Sequence, residues 1–248
     1  MKLYGLIGFP LGHSFSAKFF SEKFSREGID ADYRNFELPE IGDLMELLAE
    51  MPDIEGLNVT IPYKQQVMPY LTEVSPQARE IGAVNTIRID HDSDGSITAL
   101  KGYNTDAPAF ARTLAPLLPK SAISALVLGT GGASRAVCAA LSWLGIDYTL
   151  VSRTPAPGRL GYDMLTPEII ARNLLIVNTT PLGMSPHTDC CPDIPYDALT
   201  EAHICYDLIY NPEQTLFLQK ASARGAMTSN GLDMLHLQAL LAWKHWNS

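Results

Sequence analysis

Lys64 closes the stretch NVTIPYK, two residues past the proline that ends an alternating apolar run. A lysine just beyond a strand is either ordinary surface charge or a charge aimed into a cleft. Its neighbourhood in the sequence bears on the choice, because other polar groups also fall where apolar runs stop. Ser14 and Ser16 follow the first run in HSFS, Asn58 and Thr60 lie in NVT, Asn85 and Thr86 in AVNT, Asn104 and Asp106 in GYNTD. Open α/β sheets bind their ligands outside the carboxyl ends of their strands. Taken singly, each residue reads as a helix cap or turn former; Asp106 would cap a helix over 105–118, and Ser16 one that runs to 24. Taken together, they predict a hydroxyl-lined cleft suited to a small polyhydroxylated acid.

A second group is built on glycine. LVLGTGGASRAV, residues 126–137, reads as strand, turn and helix. Gly129 and Gly131 permit a tight turn and close approach to a pyrophosphate, and the helix N-terminus offers free N–H groups. The third fingerprint position is Ser134, so the G-x-G-x-x-G pattern is imperfect. A tight turn without a ligand is the competing reading. The next strand ends LVSRT, where an NAD site would place a carboxylate. Arg153 stands there instead, and a guanidinium suits a 2′-phosphate. Arg159 follows in the loop as a second candidate.

The elements that must position these residues alternate. Strands are expected over 2–7, 33–37, 57–60, 84–89 and 97–100, the last two joined by the turn-rich HDSDG. Helices are expected over 16–24, closed by Gly28, and over 40–50. From 105 the rhythm is stricter: helix 105–118, strand 125–128, helix 133–144, strand 148–152, then apolar strands at 174–178 and 204–208. Repeated βα units imply parallel sheets with right-handed crossovers. The domain change is expected at 103–106, and an amphipathic last helix over 234–246 could pack back on the first domain.

Composition sets the outer bounds. A chain of 248 residues, 46% hydrophobic and 18% charged, reads as a soluble two-domain protein. No apolar run approaches the about 20 residues that span a bilayer. The start MKLYGLIGF carries no signal-peptide pattern, which predicts a cytoplasmic protein. A net charge of −9 argues against nucleic acid or an anionic membrane as partner. Cys138, Cys190, Cys191 and Cys205 lack metal-ligand spacing and the six histidines are scattered, so no metal is expected.

The motifs GHSFS, NVTIPYK, GAVNT, NTD, GTGGAS, SRT, NTTPLGM and GLDMLHLQ stand in the order seen in shikimate dehydrogenases, and the chain resembles that family over residues 5–240. The resemblance implies reversible NADPH-dependent reduction of 3-dehydroshikimate to shikimate, a step towards chorismate and the aromatic amino acids. It implies an α/β protein with a mostly parallel substrate domain at 1–103, on which helix 232–248 packs, a Rossmann-type NADP domain at 104–231 and a cleft between them. It makes Lys64 and Asp106 the catalytic pair. Ser14 and Ser16 would hold the substrate carboxylate, with Tyr210 near, and Thr60, Asn85 and Gln238 the ring hydroxyls. Gly129, Thr130, Gly131, Gly132 and Ala133 would line the pyrophosphate, Ser152, Arg153 and Thr154 the adenosine phosphate, and Leu208 and Gly231 the nicotinamide. A monomer or homodimer is implied. The chain departs from the pattern at Ala17, at Ala107 and in a short, proline-rich segment after Thr154. The alternatives are a quinate/shikimate dehydrogenase using NAD or both cofactors, and a non-catalytic NADP sensor.

Overall fold

The computed structural model describes residues 1–11 and 15–248. It divides into two compact units, Met1–Thr105 with Ala239–Ser248, and Asp106–Gln238. No helix among the described residues is long and apolar enough to cross a membrane.

The first unit runs β1 (Lys2–Gly8), α1 (Phe15–Glu27), β2 (Ala31–Glu37), α2 (Leu44–Glu50), β3 (Ile54–Val59), β4 (Glu73–Val74), α3 (Pro76–Ile81), β5 (Thr86–His91) and β6 (Ile97–Tyr103). The sheet order is β2-β1-β3-β5-β6-β4. β1 is parallel to β2 and β3, and β4 to β6, while β5 runs antiparallel to both its neighbours. Both faces of β1 are buried, so its sequence reads as a continuous apolar run rather than an alternating one. Leu3 and Ile7 enter one core with Leu57, Val59 and Ile87. Tyr4 and Leu6 enter the other with Phe20, Phe24 and Tyr33, joined by Ala239, Ala242 and Trp246 from the end of the chain. Phe20 and Phe24 are one helical turn apart and so share a face of α1. The Trp246 indole N–H donates to the Ile87 carbonyl at 2.9 Å, satisfying the polar atom of a large buried ring.

The second unit runs α4 (Asp106–Leu114), β7 (Ser124–Leu128), α5 (Gly132–Trp143), β8 (Asp147–Ser152), β9 (Arg159–Gly161), α6 (Pro167–Arg172), β10 (Leu175–Asn178), β11 (Ile204–Asp207), α7 (Leu216–Ser222), β12 (Met227–Ser229) and α8 (Leu232–Trp246), whose last turns belong to the first unit. Its strands pair in parallel throughout, beside one isolated antiparallel bridge between Ala156 and Arg159. Read from β9, the order β9-β8-β7-β10-β11-β12 is the 3-2-1-4-5-6 of a dinucleotide-binding fold.

Several expectations are corrected. Ser16 lies inside the first turn of α1, which begins at Phe15, so it is not the cap of that helix. The helix expected over 40–50 opens with a short 3₁₀ turn, Ile41–Asp43, before α2. α4 ends at Leu114 because Pro116 cannot continue an α-helix, and Ala115–Leu117 tightens to 3₁₀. Between β8 and β9 only 153–158 make the crossover, with no helix, whereas parallel neighbours usually need about a dozen residues. The short connection suffices because β9 pairs only with Leu150, Val151 and Ser152, leaving a descent of about 7–10 Å.

Candidate active site

The first unit brings its polar residues to one end of the sheet by register. Asn58 on β3 lies opposite Thr86, where β5 begins, and Thr86 lies opposite Tyr103, where β6 ends. Thr60, Asn85 and Asn104 therefore emerge side by side. Asn85, 2% exposed, takes the Thr105 N–H on its Oδ1 at 2.8 Å and donates from Nδ2 to the Thr105 hydroxyl at 2.9 Å. A backbone N–H can only donate, so this contact fixes which way the amide faces. The residue before Asp106 is thereby pinned to the residue that leads into β5. Thr86 donates to Asn85 Oδ1 at 3.1 Å, and Asn58 donates to the Asn85 carbonyl and to Thr86. Tyr33 on β2 donates to Asn58 Oδ1 at 2.9 Å, and the Ser16 hydroxyl hydrogen-bonds the same phenol. Burial pushes the Tyr33 phenol well above its ordinary value, so it stays a neutral donor. The result is one chain of neutral hydrogen bonds from Ser16 to Thr105.

Lys64 stands on the turn after β3 and is half-buried. Buried Tyr63 and Val67 flank it, the Tyr63 hydroxyl donates to the Leu38 carbonyl at 2.5 Å, and the Lys64 carbonyl accepts from Val84 N at 2.7 Å. The backbone carrying the lysine is thus tied to the segment that leads into Asn85. Ser14 lies outside the described residues. Thr60 is half-buried, its N–H donating to the Ile7 carbonyl at 2.9 Å.

In the second unit the glycine turn has the geometry its sequence suggests. Gly129 has φ +111°, and a Cβ there would meet Thr179 Oγ1 at 2.7 Å, so a side chain is excluded on two counts. Gly131 precedes α5, and nothing lies within 4 Å of where its Cβ would be. Thr130, Gly131, Gly132 and Ala133 follow one another into the helix. Ser134 is buried and donates to the Gly131 carbonyl at 2.7 Å, which accounts for a serine at the third fingerprint position. At the end of β8, Ser152 is half-buried, Arg153 and Thr154 are exposed, and the Ser152 hydroxyl accepts from Thr154 N at 3.3 Å. Arg159 pairs beside Leu150, two positions and about 7 Å of strand back from Ser152, the residue that Arg153 follows.

Asp106 is 5% exposed at the first position of α4, and Gln238 is 8% exposed on α8, its amide donating to the Leu235 carbonyl at 3.1 Å. Leu208 and Tyr210 leave β11 half-buried, and burial raises the Tyr210 phenol. A Cβ on Gly231 would stand only 2.0 Å from the Leu208 carbonyl oxygen, so these two segments meet backbone to backbone. Among the described residues, no group of three or more His, Cys, Asp or Glu is arranged to hold a metal ion.

Residues 6–87 match the model of the shikimate dehydrogenase substrate binding domain. A shikimate dehydrogenase (NADP(+)) from Oleidesulfovibrio alaskensis is 41% identical, over 99% of this chain and 89% of its own. One from Desulforamulus reducens is 38% identical over 98% and 88%. The chain belongs to the shikimate dehydrogenase family. Its fold agrees: shikimate 5-dehydrogenase from Thermus thermophilus, solved in complex with NADP(H) and shikimate, superposes with a TM-score of 0.85 at 33% identity, covering 99% of this chain and 93% of that one. The likeness to shikimate dehydrogenases thus spans both units. The sequence motifs assign no role to Tyr33, Thr105, Asn178, Asp207 or Thr215. Asn178 and Asp207 do carry a signal, since each is a polar residue closing a run of apolar strand.

Proposed function

We propose that this protein is a shikimate dehydrogenase that reversibly reduces 3-dehydroshikimate to shikimate with NADPH, on the path to chorismate and the aromatic amino acids. One observation carries the reading: the turn bearing Lys64 is tied through Val84 to the strand ends that hold Asn85 and Thr105. A cation, an amide and hydroxyls are thereby held as one set, which is what a small acid with ring hydroxyls and a reactive ketone requires.

The glycine turn fits a pyrophosphate, since open space lies over Gly131 and the N–H groups of α5 begin there. Gly129, Thr130, Gly131, Gly132 and Ala133 would hold it. Ser152, Arg153 and Thr154 would take the 2′-phosphate, and Leu208 and Gly231 would flank the nicotinamide. Bound NADPH supplies the hydride. The protein handles the proton and the pose. Ser14 and Ser16 hold the substrate carboxylate, Ser16 by turning its one hydroxyl proton from Tyr33 to the ligand, with Tyr210 near it. Thr60, Asn85 and Gln238 take the ring hydroxyls; the Asn85 amide has a second N–H for this purpose. Lys64 Nζ gives a proton to the ketone oxygen as negative charge develops there, and recovers it in the reverse direction. Asp106 orients the ammonium.

The test is to supply shikimate or quinate with NADP or NAD and follow nicotinamide absorbance. The expected result is turnover with shikimate and NADP, with NAD poorer by roughly ten- to a hundredfold in kcat/KM, the worth of a charge-assisted hydrogen bond. A preference for NAD would refute the role given to Arg153, and a preference for quinate that of the substrate pocket. No turnover with any pair would leave a sensor on the same fold.

A further inference from the structure

Asp207 closes β11 and is completely buried, as are its register partner Asn178, which closes β10, and Thr215, which caps α7. Its Oδ1 accepts from Asn178 Nδ2 and from Ile209 N, both at 3.0 Å, and its Oδ2 accepts from the Thr215 hydroxyl at 2.6 Å. All three donors are neutral, so the carboxylate is buried on dipoles alone. Asn178 Oδ1 accepts from the Thr180 N–H at 3.0 Å and hydroxyl at 2.7 Å. That turns the donor end of the amide towards Asp207, which can only accept while ionised.

These bonds hold two stretches of chain. Through Asn178, Asp207 fixes Thr180, whose Cγ2 would stand 3.1 Å from a Cβ on Gly129. Through Ile209 it fixes the stretch around Leu208, the residue whose carbonyl packs on Gly231. A group that accepts at both oxygens is needed for this. Asparagine has one carbonyl to offer, and alanine none.

We propose that Asp207 is a positioning residue for the nicotinamide half of the bound cofactor, holding together the two segments that leave β10 and β11. This rests on the cofactor reading above, in which Leu208 and Gly231 flank the nicotinamide, whereas the adenosine phosphate lies at the end of β8. Asp207 touches neither, so its influence passes through the backbone it anchors.

Two ligands separate the halves. NADPH needs both, while adenosine 2′,5′-bisphosphate carries the adenosine and its phosphates and lacks the nicotinamide. Their dissociation constants are measured by calorimetry on the full chain and on Asp207→Ala and Asp207→Asn. In Asp207→Ala, NADPH is expected to weaken roughly tenfold, and the bisphosphate to change less than about twofold. Asp207→Asn keeps one acceptor, so NADPH is expected to weaken by about threefold, again selectively. Should the alanine variant fail to fold, the asparagine variant decides alone. Equal weakening of both ligands, or of neither, in the folded variants overturns the proposal. Failure of the wild-type chain to bind the bisphosphate overturns the cofactor reading itself, a result that the variants cannot mimic.

Discussion

In the first unit, the buried polar groups at the strand ends are amides and hydroxyls: Asn58, Thr86, Asn85 and Thr105, each hydrogen-bonded to the next. In the second, Asn178 and Thr215 gather on a carboxylate, Asp207. The first unit has a partly buried carboxylate too, but Asp90 is met by Arg88 at 2.6 Å and Lys101 at 2.8 Å, and the Arg88 hydrogen bond, followed by that of Lys101, holds it below the usual carboxylate range. Asp207 has only dipoles, and burial pushes it up to about 6 in spite of them. A neutral network gives a fixed template that does not titrate. A carboxylate hub accepts more bonds at one point, at the expense of a charge that water would otherwise solvate.

That contrast can be broken at several points. The largest effect is expected at the template's reacting group. Lys64→Ala should lower kcat by about 10²–10⁴, with KM moving less, as steady-state kinetics would show. Asp106→Asn should lower kcat as well, and the double variant should be little worse than Lys64→Ala, because groups that act together are not additive. Normal turnover of Lys64→Ala would return the lysine to ordinary surface charge.

Next comes the pH response of the hub. Asp207 has a folded pKa above its unfolded value, so between the two the native state holds more protons. Its stabilising contribution is full below about 3.8, falls as pH rises, and is gone above about 6. The separation of about two units corresponds to about 3 kcal/mol. Tyr196 faces the carboxylate and is raised by its own burial, so it stays neutral in this range. Urea melts of wild type and Asp207→Asn from pH 4 to 7 should therefore diverge by about that amount, wild type losing ground as pH rises. Parallel curves would mean that the carboxylate is not penalised by burial. Asp90 works in the opposite sense, its contribution being present above its unfolded pKa and lost as pH falls.

The smallest effect is expected in the neutral chain. Tyr33→Phe leaves Asn58 Oδ1 without its phenol donor, at a cost of about 1–3 kcal/mol. The loss should be the same at pH 5 and pH 8, since burial holds the phenol neutral across that range. A pH-dependent loss would show that a titrating group enters the network.

Much of this architecture is legible in the residues, and the exceptions have physical causes. The glycine turn announces itself because Gly129 and Gly131 stand between a buried strand and a helix, Gly129 at a positive φ and Gly131 beneath open space. The strands β7, β10 and β11 are continuous apolar runs with polar residues at their ends. β4, β9 and β12 are two or three residues long, too short to show any period. The bare crossover at 153–158 was foreshadowed only by its prolines. Ser16 reads as a cap because serine favours that position, yet its hydroxyl goes to Tyr33. Tyr33 finds Asn58 25 positions away and Asp207 finds Asn178 29 positions away, and no local pattern encodes either pairing.

Under the proposed function, the first unit takes the substrate's carboxylate and the second the cofactor's 2′-phosphate. Ser16→Ala and Arg153→Ala divide the two most directly, with shikimate and NADPH binding measured separately by calorimetry. Ser16→Ala is expected to weaken shikimate by about 1–3 kcal/mol and leave NADPH unchanged. Arg153→Ala is expected to weaken NADPH by about 1.5–3 kcal/mol and leave shikimate unchanged. If either variant weakened both ligands alike, or neither, the division of labour would be contradicted.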